Sequence, residues 1–162
     1  MKEFLKKLLV LFLLSSVSFG AFAAKKHDEQ IRKRLDFTGM NYRVTESGDF
    51  FLIVKFEDGR TQGVFVESRV TEYYGTKVRG VYSLGYKGMP NASMMQNMLE
   101  SNETWKIGAW GIFDDKKDGK RAYFTAKIQA NLNSRSLREI IFGVGRVADE
   151  FEKKFCFGAD DL

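Results

Sequence analysis

FFLIVKFEDGRTQGVFVE, residues 50–67, decides the fold. Two runs rich in Phe, Val and Ile flank Asp58-Gly59, and Asp-Gly between apolar runs is a strong short-range hairpin signal. In 61–67 one face carries Gln62, Val64 and Val66 and the other Gly63, Phe65 and Glu67. A period of two means strands, not a helix.

Working outward, residues 41–46 (NYRVTE) supply a strand before this hairpin, across Ser47-Gly48-Asp49. Residues 73–86 (YYGTKVRGVYSLGY) supply a fourth extended segment, interrupted by Gly75, Gly80 and Gly85. Glycines inside a strand pattern mark bulges or close backbone approach. Beyond Pro90, Asn91 or Ser93 caps a helix to about residue 102, whose buried stripe is expected to be Met94, Met95, Met98 and Leu99. Strands are expected again at 105–113 and 120–130, around an Asp-Gly turn at 114–119. At the front, residues 26–37 space Ile31 and Leu35 as a short helix does, with Gly39 as its stop.

The last element has the clearest helical period. Apolar residues recur at Leu137, Ile140, Ile141, Val144, Val147, Ala148, Phe151 and Phe155. Ser136 with Glu139 makes a capping box, with Asn133 and Ser134 as alternative starts. Gly143 and Gly145 weaken the helix locally and point to a neighbouring element passing close by. The order α-β-β-β-(β)-α-β-β-α predicts an α+β domain, a single antiparallel β-sheet with helices packed on one face.

Residues 1–23 have the three parts of a secretory leader: Lys2, Lys6 and Lys7, the apolar run LLVLFLL, and Ala21-Phe22-Ala23. Cleavage is expected between Ala23 and Ala24, giving an exported protein, periplasmic or secreted, with no stable membrane insertion and one domain over 24–162. The apolar run is too short and too serine-diluted for a spanning helix. Three of the 26 Lys+Arg and one of the 21 Asp+Glu fall in the leader, so the rest balances 23 against 20, a net +3. Basic residues are dispersed among acids, which argues against a nucleic-acid partner.

No spacing assembles a catalytic, cofactor or metal site, so a non-enzymatic role is expected. His27 is the only histidine and stands in a segment expected to fray, and Cys156 is the only cysteine, expected as a buried thiol. The 114–119 loop places Lys116 where a calcium loop needs an oxygen ligand. Gly143-Val144-Gly145 falls inside a helix, not after a strand as a dinucleotide fingerprint requires. Two features suggest binding: the methionine cluster Met94, Met95 and Met98, and the aromatic residues of the later strands, Tyr82, Trp105 and Trp110 among them. Methionines at helical spacing also serve a core.

Three segments, FFLIVKFEDGRTQGVFVE, MMQNMLESNETWKIGAWGIF and REIIFGVGRVADEFEKKF, carry a family likeness. Over about residues 28–155 the chain resembles the YbjN family, whose domain is similar in fold to the type III secretion chaperones. Asn102 stands where that family commonly has an asparagine ahead of the penultimate strand. The resemblance implies an α+β fold, a tendency to form a homodimer, and a chaperone-like or regulatory protein-binding role. The alternative from the residues is a small-molecule or lipid-binding module, with its ligand between sheet and helices near Trp105, Trp110 and the methionines.

Overall fold

A computed structural model describes residues 27–115 and 119–156. The expected leader therefore lies outside the described residues. Three helices and seven strands follow in the expected order: α1 (Glu29–Thr38), β1 (Tyr42–Val44), β2 (Phe50–Lys55), β3 (Thr61–Val66), β4 (Thr71–Tyr73), β5 (Thr76–Lys87), α2 (Ala92–Thr104), β6 (Ala109–Asp115), β7 (Gly119–Gln129) and α3 (Ser134–Phe155). All strand pairings are antiparallel. The sheet runs β1-β2-β3-β5-β7-β6, and β4 shares with β3 one edge of β5. Among the described residues no helix is long and apolar enough to cross a membrane.

The alternation in 50–67 separates two faces. Phe50, Leu52, Val54, Val64 and Val66 are buried, and so are Val81, Phe124, Ala126 and Ile128 from the strands that follow. They meet Leu137, Ile141, Val144 and Val147 of α3, with Ile31 and Leu35 of α1 closing the same core. Gly145 allows this approach, because a Cβ there would stand 3.1 Å from the Val64 side chain. Gly143, by contrast, faces open space, so the close passage expected there does not occur.

At the other end Met94 and Met98 of α2 pack with Ala122 and Phe151 beside Tyr86, Trp110 and Phe155. A bulge between Leu84 and Tyr86 turns Tyr86 towards this cluster. A Cβ on the intervening Gly85 would collide with the Trp110 ring. Leu99, expected in the stripe, is 71% exposed, since it lies on the solvent side of α2.

Several boundaries differ from expectation for local reasons. The segment 73–86 is two strands, because Tyr74 (φ 46°) and Gly75 (φ 78°) form a left-handed two-residue turn that sets Tyr73 opposite Thr76. Strand β6 begins at Ala109, not at 105: Trp105 ends α2 and Gly108 (φ 91°) reverses the chain. Helix α3 is capped by Asn133, whose side chain accepts from Ser136 N, and not by the Ser136–Glu139 pair. Asp28 caps α1. His27 is not frayed but half-buried, 2.8 Å from Glu29 Oε1 and edge-on to Phe50. Cys156, at the C-terminal end of α3, is half-buried and not a core thiol.

Two buried polar groups fasten the layers. Arg79, 2% exposed, donates to Asp28 Oδ2 (2.6 Å) and to the Glu67 carbonyl, tying β5 to the start of α1. Burial pushes the Asp28 carboxyl up, but Arg79 and the N–H groups of Gln30 and Ile31 outweigh it and hold the pKa below the ordinary value. At the opposite end Arg60 donates to Asp149 (2.5 Å), and Gln62 donates to the Leu84 carbonyl (2.6 Å) beside Glu152.

Candidate functional site

Among the described residues no helix covers the other face of the sheet. The register sets Arg43, Phe51, Phe65 and Tyr82 side by side across β1, β2, β3 and β5, while Tyr123 of β7, opposite Leu84 and Gly111, and Phe113 of β6, opposite Arg121, continue the row diagonally. The rings form a continuous row. Phe51 and Phe65 have centroids 4.8 Å apart, and Phe65 stacks on Tyr82 at 5.0 Å and 8°. Tyr82 meets Tyr123 at 5.7 Å and Tyr123 meets Phe113 at 5.5 Å, both edge to face. The Arg43 guanidinium closes the far end, 4.6 Å over Phe51. Ile53, beside the row, is 54% exposed, and Phe113 is 49% exposed. A water-facing antiparallel sheet normally alternates apolar-in with polar-out. Here the outward Phe51 and Ile53 of β2 and Phe65 of β3 are apolar as well, which makes a patch of the kind that marks binding surfaces.

One end of the row deepens into a pocket of about 320 Å³ lined by Tyr82, Tyr123, Phe113, Glu67, Asp114 and Lys127, among others. Two glycines shape it. The Glu67 carboxylate lies over Gly80, accepts its N–H at 2.9 Å, and would clash with any Cβ there. The Phe113 ring lies over Gly111, where a Cβ would stand 3.1 Å from it. Burial raises the Tyr82 hydroxyl pKa well above the ordinary tyrosine value, and the charges of Asp49 and Glu67 raise it further.

The structure divides the residues singled out from sequence. Tyr82 stands at the centre of the outward row. Met94 and Met98, 7% and 3% exposed, belong to the core, and Met95 beside them is half-buried. Trp105 and Trp110 turn towards the helices, Trp110 against Phe124 (5.6 Å) and Phe151 (4.7 Å). Trp105 also walls a separate apolar groove of about 350 Å³ with Ile107, Phe124, Ile140 and Val144, beside the open Gly143. Phe51, Phe65, Tyr123, Phe113 and Glu67 were not singled out. Their signal was present: Phe51 and Ile53 are apolar at positions where a half-exposed strand carries polar residues.

Among the described residues no three His, Cys, Asp or Glu side chains gather as a metal-binding group. Asn102, matched above to a family asparagine, accepts the outward Trp110 N–H at 2.7 Å and so covers part of the free edge of β6. Compared with family models, curated proteins and solved structures, the chain matches none.

Proposed function

We propose that this is an exported, non-catalytic protein-binding domain that docks a partner on the helix-free face of its sheet. The row Phe51-Phe65-Tyr82-Tyr123-Phe113 carries the reading, because among the described residues no layer covers this aromatic surface. Aromatic residues are enriched at protein interfaces, and Arg60 and Gln62 tie the sheet to α3 behind them through Asp149 and Glu152. The likeness to the YbjN family and its chaperone-like folds points the same way.

A photo-crosslinking residue at Phe65, with another at Arg135 on the exposed side of α3, tests the assignment in an envelope extract. Adducts are expected from position 65 and not from 135, and they are expected to fall when Tyr82 is replaced by serine. Equal yields from both positions, or none from 65, would refute it.

A second reading, a lipid or small-molecule module, has the groove at Trp105, Ile140 and Gly143 in its favour. Organic extraction of the purified protein followed by mass spectrometry separates the two readings: a stoichiometric amphiphile, lost when Gly143 is replaced by leucine, selects the groove.

A further inference from the structure

We infer that the pocket bounded by Tyr82, Tyr123 and Phe113 receives a lysine or arginine side chain from an extended segment of the partner, whose apolar side chains then lie along Phe65 and Phe51. The inference rests on the protein-binding reading above and adds the chemistry of the partner.

Ring faces carry negative quadrupole density and attract ammonium or guanidinium groups within about 6 Å of the centroid. Three rings meet here in mutually steep orientations, 86° for Tyr82 against Tyr123 and 69° for Phe113 against Tyr123, so that they line a concavity and not a flat patch. Carboxylates are interleaved with them. Among the described residues Glu67 and Asp114 line the pocket beside the ammonium of Lys127. Lys127 stands 3.6 Å from Glu67 and is 63% exposed, and Lys120, 48% exposed, reaches Asp114. Exposed pairs of this kind are worth little, typically below about 1 kcal/mol, and an incoming cation that also gains the rings displaces them readily. Glu67 is held in place by the Gly80 N–H and does not swing freely with solvent.

The length and polarity of the row select a peptide over a lone small cation. From β6 to β2 there are four strand intervals, about 19 Å at ~4.8 Å each, which matches roughly six extended residues. A small ammonium would leave Phe65, Phe51 and Ile53 uncovered. The far end carries Arg43 over Phe51, so carboxylates at one end and a guanidinium at the other also orient the segment, its basic residue towards β6.

The test uses three fluorescein-labelled hexapeptides of alternating leucine and serine, ending in lysine, norleucine or glutamate, titrated against the protein by fluorescence anisotropy. The lysine peptide is expected to bind about tenfold more tightly than the glutamate peptide, with norleucine between. Lys127→Met, which removes the competing ammonium, should tighten the lysine peptide several-fold. Tyr123→Leu should weaken it and Tyr123→Phe should not. Equal affinity for the three peptides, or no binding of any, overturns the cationic assignment, while the crosslinks from position 65 independently decide whether the face docks a partner at all. Competition by choline chloride at affinities matching the peptide would make this a small-cation site and overturn the peptide assignment. Peptide-independent dimerisation through the same face would overturn it equally.

Discussion

The two faces of one sheet use the same residue types to opposite ends. On the covered face Phe50, Phe124 and Leu52 are excluded from water by α1 and α3. On the open face Phe51 and Tyr123, one residue away from Phe50 and Phe124, join Phe65 and Tyr82 in a row of rings and stay half-exposed. The difference lies in what is opposite, not in the strands. A strand side chain facing a helix gains burial and dispersion contacts together, whereas one facing solvent gains only from its cross-strand neighbours. Covered aromatics therefore stabilise, and open ones remain available.

Substitution in equivalent positions breaks or sharpens this contrast. Phe124→Ala should cost about 3–5 kcal/mol in urea unfolding, against about 2 kcal/mol for Phe65→Ala, which loses its ring contacts with Phe51 and Tyr82 and half-buried area. Equal costs would mean that the open face is packed against something in solution.

Next in size is Asp28→Asn. Asparagine keeps the helix cap but leaves the buried Arg79 without its carboxylate, at a cost of about 3 kcal/mol. The sign with pH follows from the lowered Asp28 pKa. The folded carboxyl titrates below its unfolded value, so its contribution is complete above about pH 4, near the unfolded value of 3.8, and disappears as pH falls through the folded pKa. Thermal melts of the two proteins should differ by a constant amount from pH 5 to 7 and converge in acid. A gap that widens in acid would contradict the pairing.

Smaller and opposite effects are expected from the two helical glycines. Gly145→Ala presses on Val64 and should destabilise by about 1 kcal/mol. Gly143→Ala meets open space, gains helix propensity, and should stabilise by about 0.5–1 kcal/mol. Like signs for the pair would place a neighbour against Gly143. The smallest change is expected at Leu99, on the solvent side of α2, where Leu99→Ser should stay within about 0.5 kcal/mol.

Element order and the covered face were legible in the chain because periodicity reports directly on which side is buried. The period-two runs at 50–67 and the three-four spacing from Leu137 to Phe155 carry that information within single segments. The open-face site was not legible as a site. Its rings come from five strands separated by up to about 70 residues in sequence, and only strand pairing brings Phe51, Phe65 and Tyr82 into line with Tyr123 diagonally beside them. Methionine spacing is equally ambiguous, since one stripe suits a core or an interface, and the bulge at Gly85 with the inward Trp110 is what draws Met94 and Met98 inside. The turn at Tyr74-Gly75 was hidden for a different reason: a non-glycine residue at positive φ leaves no compositional mark.

The central ladder of the sheet also sets an order of assembly. Strands β2 and β3 meet across a short turn, whereas β5 pairs with β7 between residues 34 apart at Lys87–Arg121 and 51 apart at Val78–Gln129. Closing that loop costs chain entropy before any ladder bond repays it, so the first three strands zip early and the β5–β7 seam forms late. Until it does, the edge of β5 is unpaired and the underside of α3 has no complete floor. A chain emerging from its amino end therefore leaves this seam open until residue 129 has arrived.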